Sequence, residues 1–149
     1  LIGVIAEQDR HRKLRSVDGW SLSVMTFGGV EYLLGESRDL TAGSYLLERF
    51  TTAVSQRSGG DDALMNVIVQ YVDGVWRMVL IPRSKHRPDC YFAPEADRVL
   101  ISPACVELAG VAVLPRGEDF SRIDAGLLQK VFQEVTLGGA GLEELAAAI

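Results

Sequence analysis

Histidine, cysteine and any surplus of positive charge are what this sequence lacks most. Two cysteines, Cys90 and Cys105, cannot build a disulfide framework, so a reducing cytoplasm is the expected compartment. Two histidines, His11 and His86, lie far apart, and no C-x-x-C or H-E-x-x-H spacing accompanies them. A metal centre is therefore a poor reading, and no cofactor is expected. The net charge is −5, which argues against a dedicated nucleic-acid binder, because neutralising phosphates takes a basic surface. No run approaches the ~20 apolar residues of a membrane span. The opening LIGVIAEQDRHRK has too short an apolar part for a signal peptide, with its charges on the wrong side. The chain starts on Leu1 without an initiator methionine. The expectation is a piece of a longer polypeptide, with residues 1–19, including the basic run Arg10–Arg15, as a connector from an N-terminal half.

What is present is a foldable domain. Apolar residues make up 48% and charged residues 23% of 149 positions, enough for one hydrophobic core. The clearest stretch is MNVIVQYVDGVWRMVLIPRSKHRP, residues 65–88. Asp73-Gly74 is a type I′ turn signal, since both central positions need positive φ. That turn pairs Tyr71 with Trp76, Val69 with Met78 and Val67 with Leu80, which makes one face of the hairpin apolar and predicts core packing for it. The other face pairs Gln70 with Arg77, then Ile68 with Val79, with Asn66 opposite Ile81.

A second hairpin is predicted from Ser21–Phe27 and Val30–Leu34, joined by Gly28-Gly29. Asp39 reads as the N-cap of a helix to about Gln56. Residues 99–102 and 106–114 read as strands bent at Pro103, which has no N–H for a ladder. Asp124 then caps a helix with Leu127, Leu128, Val131, Phe132 and Val135 on one face, and 142–149 reads as a short terminal helix. Tight turns force antiparallel strands, and three helices covering one face complete an α+β domain.

The chemistry-bearing stretch follows the second strand of the central hairpin. Arg83, Lys85, His86 and Arg87 lie between Pro82 and Pro88. An arginine offers a planar fork to two phosphate oxygens, while lysine and protonated histidine add point charge. Asn66 could hydrogen-bond a sugar or phosphate, and Ser102 could donate to a phosphate. Each also has a plain alternative: a cationic turn paired with Asp89, Glu95 or Asp97, a strand-end amide, a capped bend. Cys90 follows the cations, which would favour its thiolate. A cysteine enzyme with His86 as base is the runner-up that this raises, though no oxyanion hole is visible. Cys105 reads as a small core residue, and Glu107 either pairs with a cation or faces a cleft.

MNVIVQYVDGVWRMVLIPR, with LISPACVELAGVAVLPRGEDF after it, resembles the C-terminal domain of the ATP adenylyltransferase (diadenosine tetraphosphate phosphorylase) branch of the histidine-triad superfamily. His86-Arg87-Pro88, Ile101-Ser102-Pro103-Ala104 and Asp119-Phe120 are most similar to bacterial proteins that resemble GDP-hexose phosphorylases. The resemblance covers roughly residues 20–137. It implies a half-barrel antiparallel sheet flanked by helices, and a parent activity of nucleotidyl transfer or phosphorolysis on a dinucleotide or nucleotide-sugar. Catalysis in that superfamily uses a His-x-His-x-His/Gln segment, whose imidazole attacks the α-phosphorus. No such segment is present here. The expectation is thus a non-catalytic C-terminal half (residues 20–149) that packs on a catalytic N-terminal half and lends cations to a nucleotide or nucleotide-sugar. An interaction domain without a ligand site is the alternative, and a homodimer through an unpaired sheet edge is a further expected partner arrangement.

Overall fold

Two tight turns set the frame of the molecule. Asp73 and Gly74 take φ of 52° and 74°, and Gly28 and Gly29 take 59° and 76°, the left-handed values a type I′ turn demands. In the computed structural model, which describes residues 11–17, 19–60 and 62–149, these turns close two hairpins. The strands are β1 (His11–Val17), β2 (Trp20–Phe27), β3 (Val30–Ser37), β4 (Met65–Val72) and β5 (Val75–Pro82). They form one antiparallel sheet in the order β1-β2-β3-β5-β4. The central hairpin has the predicted register throughout: Tyr71 faces Trp76, Val67 faces Leu80 and Asn66 faces Ile81. Residues 11–15 of the basic run enter the sheet in edge strand β1, while residues 1–10, Arg10 among them, lie outside the described part.

Helix α1 (Leu40–Ser58) starts where Asp39 accepts from the Ala42 N–H at 2.8 Å. It ends on Gly59 in the left-handed conformation. Asp124 caps α3 (Ala125–Val135) in the same way through Leu127, at 2.7 Å. Helix α4 (Ala140–Ala148) closes the chain.

The sheet is covered on both faces, not on one as the sequence reading had it. Leu46 and Phe50 of α1 and Leu142 and Leu145 of α4 pack on Leu22, Leu33, Met78 and Leu80. On the opposite face, Met25, Tyr32, Leu34, Val79 and Ile81 meet Leu108 and Phe132. The cause is the pair of inner strands: β3 and β5 carry buried apolar residues in unbroken runs, Tyr32 to Leu34 and Met78 to Ile81. A strand apolar on both sides needs cover on both sides. Phe50 is fully buried, and truncating such a side chain to alanine costs about 3–5 kcal/mol.

Two further expectations are corrected. The apolar face of the central hairpin is core only at its base. Met78 and Leu80 are buried, whereas Val69 and Tyr71 are exposed because β4 is an edge strand. Tyr71 instead stacks on Trp76, ring centroids 4.7 Å apart. Residues 99–102 and 106–114 are not strands. Cys105–Leu108 is a one-turn helix, α2, with irregular chain on either side. Glu107, three residues into the turn, accepts from the Ala104 N–H at 2.9 Å, the acidic half of a capping box. Gly110, at φ 101°, then reverses the chain. Pro103 does interrupt the pattern as expected, but by ending extended chain ahead of a helical turn.

No helix among the described residues is long and apolar enough to cross a membrane.

Candidate functional site

The end of β5 is tied down from three sides. Arg83 N–H donates to Leu64 O at 2.8 Å, Ser84 N–H to Val135 O at 3.0 Å, and Leu137 N–H to Pro82 O at 2.9 Å. These bonds fix the direction in which the Pro82–Pro88 loop leaves the sheet, beside the start of β4 and the C-terminal end of α3. The Ser102–Ala104 segment closes the other side. Between them lies a cavity of about 770 Å³. All six residues singled out from the sequence line it: Asn66, Arg83, Lys85, His86, Arg87 and Ser102. His11, the other histidine, is on β1, at the opposite edge of the sheet from β4.

The six are not equivalent. An arginine has five N–H bonds to give, and Arg83 gives all of them to the protein. Its Nε donates to Val135 O at 3.3 Å. One terminal nitrogen donates to Asn66 Oδ1 at 2.9 Å and Pro103 O at 2.6 Å, and the other to Lys85 O at 3.1 Å and His86 O at 2.8 Å. Arg83 is thus the knot of the site and has no donor left for a phosphate, contrary to the fork expected of it. Burial pushes its pKa below the ordinary guanidinium value, against the opposing pull of Cys105 and Glu107. Arginine stays charged regardless. Glu107 is buried on α2, and its carboxylate is held by the Ala104 N–H and not by a direct ion pair with Arg83.

Lys85 is also engaged. Its ammonium donates to Asp89 Oδ1 at 2.7 Å and to Glu134 Oε1. Both hydrogen bonds push the lysine pKa up, and the one to Asp89 holds that carboxyl below its usual range. Glu134 further accepts from the Asp89 N–H at 2.9 Å.

Arg87 differs from both. It is exposed, its guanidinium carbon sits 4.4 Å from the centroid of the Tyr91 ring, and among the described residues it has no carboxylate partner. His86 and Ser102 are exposed beside it. Asn66 keeps its amide N–H₂ unclaimed among the described residues, its oxygen being held by Arg83.

Cys90 does not have the microenvironment of a nucleophile. Burial first, and the Glu134 carboxylate second, push its thiol pKa up rather than down. The cation that pulls the other way is Lys130 of α3 and not a member of the loop. Sequence reasoning missed Phe92 in the wall of the cavity, whereas Asp89, named there as a partner of the cationic turn, does pair with Lys85. The signal for Phe92 was available: a Tyr-Phe pair in a short segment bounded by Pro88 and Pro94, where no apolar periodicity asks for it.

Chemically, the arrangement offers a cationic and hydrogen-bonding wall.

No protein-family model matches this sequence, and neither the curated proteins nor the solved structures contain one detectably similar to it.

Proposed function

We propose that this cavity receives the phosphates of a nucleotide or nucleotide-sugar, and that the chain is the non-catalytic C-terminal half of a histidine-triad-like nucleotide phosphorylase or nucleotidyltransferase. The attacking imidazole belongs, in this reading, to an N-terminal half that packs on the open side of the cavity. The observation that carries it is convergence: three separate stretches of chain, at Asn66, at the Arg83–Arg87 loop and at Ser102, come to one cavity. The antiparallel sheet with flanking helices supports the half-barrel fold implied by the resemblance. Arg87 supplies the charge, His86, Ser102 and the Asn66 amide supply hydrogen bonds, and Arg83 holds the wall in place.

A specific observation favours a second reading, an interaction domain without a ligand. Arg83 has spent its donors and Lys85 is neutralised by two carboxylates. Calorimetric titration of the chain with pyrophosphate and with GDP separates the two. Binding that weakens with added salt, and that Arg87→Ala reduces about tenfold or more, supports the phosphate reading. No binding of either probe, or binding indifferent to Arg87→Ala, leaves the interaction domain.

A further inference from the structure

Phe92 is 69% exposed at the wall of this cavity. Single exposed apolar side chains are ordinary on protein surfaces, and Phe120, 65% exposed away from any cavity described above, is one. Phe92 is different in two respects. First, it belongs to a ladder of flat groups. The Arg87 guanidinium lies 4.4 Å over Tyr91, and the Tyr91 ring meets Phe92 edge to face at 5.2 Å. Second, the segment that carries it is bolted to the domain. Tyr91 N–H donates to Pro88 O at 3.1 Å, Val99 N–H to Cys90 O at 3.1 Å, and Arg98 Nε to Ala93 O at 3.1 Å. Glu134 holds the Asp89 N–H at its start. An aromatic ring held out at a cavity mouth on a fixed segment is pre-organised, so little conformational freedom is lost when something stacks on it.

We infer that Phe92 is the stacking face for a planar ring in the same ligand whose anion is held at Arg87 and His86, which makes that ligand a nucleoside phosphate and not a bare sugar phosphate. The inference rests on the phosphate reading of the cavity and adds the group at the ligand's other end. Guanidinium and Phe92 ring lie no farther apart than the two steps of the ladder laid end to end, a span that one ribose between base and phosphate can bridge. Stacking tolerates any base, because each presents a π-face, so Phe92 selects for a base and not for a particular one.

The test is titration of the chain with guanosine monophosphate and with ribose 5-phosphate, for the wild type, Phe92→Ala, Phe92→Trp and Arg87→Ala. Phe92 is exposed, so none of its variants should disturb folding. The expected result is that guanosine monophosphate binds the wild type at least tenfold more tightly than ribose 5-phosphate. Phe92→Ala removes that advantage and leaves ribose 5-phosphate unchanged, Phe92→Trp keeps it, and Arg87→Ala weakens both ligands. If both ligands bind equally, or Phe92→Ala changes neither, the stacking role is overturned while the phosphate reading stands. If neither ligand binds the wild type, the phosphate reading fails and takes this inference with it.

Discussion

Arg83 and Arg116 each knit a loop into the domain, and they do it with opposite kinds of acceptor. Arg116 is wrapped in carboxylates: Asp119 at 2.9 Å, Glu95 at 2.8 Å and Glu118 at 3.2 Å, with the Arg98 carbonyl as its neutral partner. Asp119 is fully buried and also accepts from the Leu100 N–H at 3.1 Å, so that corner is electrically closed. Arg83 bonds only to backbone carbonyls and one amide oxygen. Carbonyls satisfy its hydrogen bonds without cancelling its charge. The two pKa directions follow: the hydrogen bond to Asp119 raises that of Arg116, and burial lowers that of Arg83. One loop thereby has its guanidinium neutralised by carboxylates, and the other is rigid while its guanidinium keeps its charge.

The largest effect should come from removing the carbonyl knot. Arg83→Ala takes the guanidinium from five acceptors contributed by Asn66, Pro103, the loop itself and the end of α3, of which Val135 O keeps the Ser84 N–H. A loss of about 2–4 kcal/mol in unfolding free energy is expected from urea melts. Because its acceptors are neutral, the deficit should be the same at pH 7 and pH 5. A deficit that shrinks markedly between these values would mean that Glu107, and not the carbonyls, is its main partner.

The carboxylate corner should behave in the opposite way. The Arg116 guanidinium holds the Asp119 carboxyl below its usual range. A carboxylate whose folded pKa is depressed contributes stability that is fully present above its unfolded value, near pH 4. That contribution is lost as pH falls through the folded value. Asp119→Asn should therefore be less stable than wild type at pH 7, and the gap should close steadily below about pH 4. Urea midpoints for the two proteins across pH 2.5–7 check this, and a gap independent of pH would sink the distinction between the two corners.

The same contrast explains which parts of the molecule were legible in the sequence. Local signals were readable. Asp-Gly and Gly-Gly fixed both hairpins and their register, and Asp39 and Asp124 announced their helices, because each acts on backbone within a few residues. The apolar stretch from Val106 read as a strand because its hydrophobicity outweighed one short-range cue, the Glu107 that caps Ala104. The six cavity residues were named one by one as candidates; that they converge on one cavity, and how they divide the work there, was not read from the sequence. Arg83 and Arg87 look alike in a sequence, and what separates them is a set of carbonyls as remote as Val135, which no residue type encodes.

The smallest stability change should come from Arg87, and its smallness is what the comparison requires. An exposed guanidinium over a tyrosine ring contributes roughly 0.5–1 kcal/mol. Arg87→Ala should thus leave the urea midpoint close to wild type, far from the loss predicted for Arg83→Ala. Two arginines in one loop, one costly to remove and the other nearly free, would mean that the fold consumes the first and leaves the second available. Arg87→Lys sharpens the point, since it keeps the charge but loses the flat group that lies on Tyr91. If Arg87→Ala instead destabilised the domain as much as Arg83→Ala, both cations would be structural. The cavity would then have no arginine to offer an anion.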